Sequence, residues 1–296
     1  VSSKRERNDR NRAFSGRPKG PSRAAEKPVG KGRDGAAPPR SEAPKAARNR
    51  VDPDHLIWGR HAVLAALANP ARKGMGRLIV TMDRATEIED GGLAPHGHRP
   101  EVVDGADLAR LLPPGAVHQG FMFKVAPLEG VPLAELAEPA AKPGEGDVIV
   151  MLDQITDPQN VGAIFRSALA FGARGIVVQD RHSPALAGAL AKAAVGATER
   201  LPHARVTNLS RALETLAEAG WRAVGLDGGT DVDLADALDG SPTVLVMGSE
   251  GDGIRRLVAE HCDVLARIPM PGGFESLNVS NAAAVALYEA TRRRGG

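Results

Sequence analysis

Three short stretches carry residues of types suited to chemistry. In DPQNVGAIFRSALAFGA (157–173), Asn160 stands on the first turn of an expected helix. Val161, Ile164, Phe165, Ala168 and Leu169 recur at helical spacing, so that face is expected to be buried. Asp157 and Pro158 suit the helix start and Gly172 its end. Arg166 breaks this pattern among the small residues Gly162, Ala163 and Ala170. A guanidinium there could grip a phosphate or stabilise a developing oxyanion. Taken alone, Arg166 reads as a solvated helix position; its small neighbours and its place behind a loop favour a functional one.

The second stretch is MGSEGDGI (247–254), with glycines at 248, 251 and 253 around Glu250. It is neither G-x-G-x-x-G nor a Walker loop, so it announces no dinucleotide or triphosphate. Glycine permits close backbone approach to a ligand, and Glu250 could pair with Arg166 or orient a hydroxyl. The plainer alternative is a tight turn with an exposed Glu. The third stretch, ESLNVSNAAAVALYEA (275–290), opens with small polar residues and continues as an Ala-rich helix. Asn278 and Ser280 are candidate caps, and Ser276 and Asn278 could hold a sugar or phosphate at the helix start.

These stretches need a frame that brings them together. Apolar runs occur at 148–153, 175–179, 221–226, 243–248 and 265–270. Helical patterns lie near 157–172, 184–195, 208–219, 252–261 and 279–294. Alternating apolar strands and helices predict an α/β fold with a parallel sheet covered on both faces. Ligands of such sheets bind at the carboxyl ends of the strands. The three stretches follow the first, fourth and fifth apolar runs, so parallel strands would deliver them to one edge.

Ahead of this region, 54–128 reads as a small α/β unit. It has a lead-in and helix over 54–70, strands at 77–81, 100–103 and 120–128, and a helix at 107–112. Residues 129–147 are rich in Pro, Gly, Ala and Glu and read as a linker. Residues 1–50 carry a balance of +10, against −8 for the other 246 residues. Proline, glycine and charge, with Phe14 as the single aromatic residue, leave too little apolar surface to bury and predict a disordered basic tail suited to a polyanion such as RNA, or a mere solubilising extension. No apolar run is long enough to span a membrane, and the basic N-terminus lacks a signal core. Cys262 stands alone, which excludes an internal disulfide and suits a reducing, cytoplasmic setting. His96 and His98 are too few for a metal site, His118 reads as a strand-edge residue, and Cys262 reads as packing.

Together DQITDPQNVGAIFRSALAFGA, LVMGSEGDGI and IPMPGGFESLNVSNAAAVALYE resemble, in order, the three motifs of SpoU/TrmH RNA 2′-O-ribose methyltransferases of the SPOUT superfamily. GRHAVLAAL (59–67) and VHQGFMFKV (117–125) resemble the small RNA-binding domain that precedes the catalytic domain in many members. The resemblance implies a C-terminal trefoil knot over 148–296 and a ribosomal-protein-like domain over 54–128. It implies S-adenosylmethionine as cofactor, RNA as substrate and a homodimer with the last helix in its interface. Cofactor contacts would fall at Gly248, Ile268 and Leu277, with Leu226, Asp227 and Gly228 completing the cradle. Asn160, Arg166, Glu250, Ser276 and Asn278 match the catalytic positions, and the others would orient Arg166 and the ribose. Asn281 stands where the family more often has an apolar residue, so altered helix packing is expected. The N-terminal half-motifs look most like members acting on a guanosine of large-subunit rRNA; tRNA-directed members share the catalytic motifs. Two rival readings are a non-catalytic RNA-binding or ribosome-assembly factor and a nucleotide-dependent dehydrogenase, the latter lacking its Gly fingerprint.

Overall fold

The computed structural model describes residues 52–138, 147–272 and 276–292. The expected tail over 1–50 and most of the second half of the expected linker lie outside the described residues. The first elements form a four-stranded sheet. They are β1 (Leu56–Trp58), α1 (Arg60–Ala68), β2 (Arg77–Val80), α2 (Met82–Gly91), β3 (Pro100–Val102), α3 (Gly105–Arg110) and β4 (Phe121–Lys124). The strand order is β1-β4-β2-β3, with β4 antiparallel to both neighbours and β3 parallel to β2. The lead-in before the first helix is thus strand β1. Helix α2 was not anticipated, because only Ala85 and Ile88 of its ten residues are buried and they leave too weak a stripe.

A short helix, α4 (Leu133–Ala137), occupies part of the expected linker. Leu136 and Ala137 are buried, which fixes the segment against the following sheet. That sheet contains β5 (Val148–Leu152), β6 (Gly175–Gln179), β7 (His203–Val206), β8 (Arg222–Leu226), β9 (Thr243–Met247) and β10 (Val264–Ala266). All its pairings are parallel, in the order β10-β8-β9-β5-β6-β7. The helices between and after them are α5 (Pro158–Ala170), α6 (Gly188–Ala194), α7 (Leu209–Glu218), α8 (Leu234–Ala237), α9 (Arg256–Ala259) and α10 (Val279–Arg292). Strand β7 escaped the reading because His203 and Arg205 interrupt its apolar run. The stretch near 252–261 condenses to the single turn α9.

Alternation along each strand separates two cores. On one face Val148, Val150 and Leu152 of β5 pack with Ile164 and Phe165 of α5 and Ala286 and Leu287 of α10. On the other, Ile149 and Met151 pack with Leu213 and Leu216 of α7 and with Trp221. Trp221 Nε1 donates to the carbonyl of Ala137 at 2.9 Å, so the buried indole is satisfied.

The two sheets meet along α6, whose Ala191 enters the core of the four-stranded sheet. A buried ion pair closes this seam. Arg72 Nε and Nη2 reach the Glu199 carboxylate at 2.7 and 2.8 Å, with side-chain exposures of 1% and 2%. Arg72 Nη1 donates to the Ala126 carbonyl at 2.8 Å, and Asn69 Nδ2 donates to Glu199 Oε2 at 3.0 Å. Two forked donors on a carboxylate offset much of the desolvation that burying both charges costs.

Candidate active site

The carboxyl edge of the six-stranded sheet supports a cleft of about 570 Å³. Each wall follows from a chain segment leaving that edge. After β9 the chain turns through Gly248 to Ile254, pinned by paired hydrogen bonds between the Ser249 and Gly253 backbones at 3.1 and 3.0 Å. A Cβ on Gly248 would lie 2.1 Å from the Gly253 carbonyl carbon, so only glycine lets the loop fold back here. Asp153, at the end of β5, is fully buried beneath this loop. Its carboxylate accepts from Arg255 N at 2.8 Å and Arg255 Nε at 2.7 Å. The sequence reading missed Asp153; its signal is a lone acid closing the apolar run VIVML.

The opposite wall comes from β8 and β10. Asp227 N donates to the Ala266 carbonyl at 3.0 Å, and Arg267 N donates to the Val232 carbonyl at 2.8 Å. Arg267 Nε donates to Asp233 Oδ1 at 2.9 Å, which fastens the two loops side by side. Leu226, Asp227, Gly228, Gly248, Ile268 and Leu277 all line the cleft. Glu250, Ser276 and Asn278 line it too. The lining thus joins apolar side chains to glycine backbone and a few polar groups, a composition suited to a small molecule with flat apolar and charged parts.

One polar cluster ties the three motifs together. Asn160 Nδ2 donates to Glu250 Oε1 at 3.2 Å. Asn278 Nδ2 donates to the same oxygen at 2.8 Å and to Asn160 Oδ1 at 3.0 Å. Val279 N adds a further bond to Glu250 Oε1 at 3.2 Å. Asn278 also caps α10, its Oδ1 accepting from Ser280 N at 3.0 Å and Ser280 Oγ at 2.6 Å. Asn160 is held by its own cap, because Asp157 accepts from Gln159 N and Asn160 N. Capping and cleft building are therefore one arrangement here, not rival explanations. Asn281 is exposed on the first turn of α10, where its N–H donates to Asn278 Oδ1 at 3.4 Å.

Arg166 does not join this cluster. Six residues along α5 turn the helix by about 120° away from Asn160 and rise about 9 Å. Arg166 is exposed and lines a separate hollow beside Arg200, so the expected pair with Glu250 and the orientation of Arg166 by the cluster do not form within one chain. The other sequence candidates have structural roles. His96 and His98 are bonded to backbone carbonyls of Ala68 and of Arg72 and Met75. His118 sits in the turn before β4, where its Nδ1 accepts from Gly120 N at 3.1 Å. Burial, with help from Asp263 and Asp153, pushes the Cys262 thiol up to about 12, which leaves it inert.

The family model described as SpoU rRNA Methylase family matches residues 147–288. The model for RNA 2′-O ribose methyltransferase substrate binding matches 56–131. A Mycolicibacterium smegmatis protein described as an uncharacterized tRNA/rRNA methyltransferase is 40% identical over 254 residues, covering 84% of this chain and 79% of its own length. The chain belongs to the SpoU rRNA methylase family. A Synechocystis relative described in the same words is also 40% identical, over 88% of this chain and 67% of its own length. Among solved SpoU structures, the methyltransferase AviRb from Streptomyces viridochromogenes in complex with AdoMet is 27% identical with a TM-score of 0.65. The match covers 81% of this chain and 90% of that one. An AdoMet-bound rRNA methyltransferase from Sinorhizobium meliloti is 26% identical with the same TM-score, over 81% of this chain and 87% of that one.

Proposed function

We propose that this SpoU chain transfers a methyl group from S-adenosylmethionine to a ribose 2′-hydroxyl of structured RNA, a guanosine of large-subunit rRNA being the preferred target. The observation that carries this reading is the Asn160–Glu250–Asn278 cluster at the rim of a glycine-walled cleft. S-adenosylmethionine supplies a methyl group on a sulfonium, which is already a good leaving group. Leu226, Asp227, Gly228, Gly248, Ile268 and Leu277 would hold it, largely through backbone and apolar contact. The residues of the chain then have to align the hydroxyl and bind the RNA. Glu250 has one oxygen fixed by three donors; its other oxygen makes no hydrogen bond among the described residues and is free to orient the ribose hydroxyl. Asn160, bonded to Glu250, and Ser276, in the cleft lining, would help to orient the ribose. A guanidinium offers donors and no acceptor, so the role of Arg166 is to bind phosphate or stabilise the developing alkoxide rather than to act as a base.

The division into a substrate-binding domain over 54–128 and a knotted methyltransferase domain over 148–296 belongs to this reading, as does a homodimer through α10. Val285 and Tyr288 support the dimer, because they leave apolar surface on α10 exposed at 41% and 54%. Since Arg166 lies off the cluster of its own chain, the second copy is what brings an Arg166 to each cleft.

Calorimetric titration tests the cofactor assignment. S-adenosylmethionine is expected to bind one per chain and NAD not at all, and Gly248→Ala to abolish binding while the fold persists. Binding of NAD alone would favour the dehydrogenase reading. Binding of neither would favour the non-catalytic RNA-binding factor.

A further inference from the structure

A second hollow, of about 410 Å³, opens where α5, the turn after α6 and α1 meet. Arg166 lines it from α5, and Arg200 from the end of a one-turn 3-10 helix, Ala197–Glu199. Ala65, Ala194 and Gly196 complete much of its lining, and among the described residues no carboxylate lines it. The approach of α1 depends on Gly196, whose φ is +89° and whose Cβ would lie 2.6 Å from the Ala65 Cβ. Neither guanidinium makes a hydrogen bond or ion pair among the described residues. The nearest acid in sequence, Glu199, is already engaged by Arg72 and buried. Two unpaired guanidinium groups at one hollow without a lining carboxylate among the described residues offer a set of forked donors suited to an anion. The surroundings sharpen the contrast, since residues 51–296 carry a balance of −8. The hollow also lies on the path between α1, inside the segment matched by the substrate-binding model, and α5, inside the segment matched by the methylase model.

We propose that Arg200, with Arg166, forms a binding site for a phosphodiester of the substrate RNA, with Arg200 a backbone-binding residue outside the methyl-transfer cluster. The proposal rests on the reading of the chain as an RNA methyltransferase. An Arg fork matches two phosphate oxygens, and such contacts fix the register of a strand without reading its sequence.

The test is fluorescence anisotropy of the full chain with a labelled RNA stem-loop across a salt series, beside calorimetry with S-adenosylmethionine. Arg200→Ala is expected to weaken RNA binding about fivefold to tenfold near 0.1 M salt. It should also make the log–log salt dependence shallower by about 0.9. Arg200→Lys should keep the slope and lose only part of the affinity, because it retains charge without the fork. Cofactor affinity and the thermal midpoint should match the unmodified chain in both variants. An unchanged slope and RNA affinity in Arg200→Ala, with cofactor and RNA still bound, would overturn this proposal alone. A change in sedimentation with RNA binding intact would overturn it too, by assigning the hollow to a carboxylate of another protein copy. Failure of the unmodified chain to bind either cofactor or RNA would overturn the methyltransferase reading itself.

Discussion

Glu250 concentrates three donors on one carboxylate oxygen, from Asn160, Asn278 and the Val279 backbone. Glu250→Gln separates positioning from charge. The amide oxygen can keep accepting from the same donors, while the second oxygen becomes an N–H that cannot accept from a hydroxyl. Cofactor affinity is expected to stay within about twofold, and single-turnover methyl transfer to fall about a hundredfold or more. Equal losses of both would show that Glu250 only holds the loop. His203 makes a second, separate prediction. It is buried on β7, its ring meets that of Phe165 edge-on at 6.4 Å, and its Nε2 has no hydrogen-bond partner among the described residues. Burial, and then the charge of Arg205, lowers it from 6.5 to about 4. The unfolded chain therefore binds a proton between those values that the folded chain refuses. Stability should be intact above about pH 6.5 and fall as pH drops toward 4, by up to about 3 kcal/mol from this group. Urea unfolding at pH 7 and pH 4.5 checks this, and His203→Gln should flatten the difference.

Element by element, the sequence is legible where one physical signal dominates. Asp157, Pro158 and Gly172 mark α5 because capping and chain reversal are local chemistry; the helix runs Pro158–Ala170 with Gly172 at φ +67°. Strands β5, β6, β8 and β9 are legible because both their faces are buried, which demands continuous apolar runs. Strand β7 is an edge strand that tolerates His203 and Arg205, so hydropathy hides it. The cleft residues are readable as stretches that follow strands, since parallel strands must deliver their loops to one edge. What local patterns do not contain is long-range partnership. Asp153 meets Arg255 across 102 positions, and Arg72 meets Glu199 across 127. Helical spacing does put Asn160 and Arg166 on different faces of one helix, but which cavity each face meets is long-range: Asn160 meets Glu250 across 90 positions, and Arg166 lines the hollow beside Arg200.

For the molecule as a whole, that separation makes assembly part of the account. Arg166→Ala and Glu250→Ala should each be inactive alone. Mixed dimers co-purified from the two variants should regain up to about half of the activity per chain, because one of the two clefts in each mixed dimer then has both groups. Absence of any regain would place both groups in one chain's cleft. The buried Arg72–Glu199 pair holds the four-stranded sheet region against the six-stranded one. Among the described residues no helix is long and apolar enough to cross a membrane. The most direct test of the account uses S-adenosylmethionine labelled in its methyl group, with unmodified large-subunit rRNA and unmodified tRNA as separate acceptors. The labelled nucleotide is then mapped. Label is expected on a ribose 2′-oxygen of a guanosine in the rRNA. Label on a base, or none on either RNA from a chain that binds no cofactor, would contradict it.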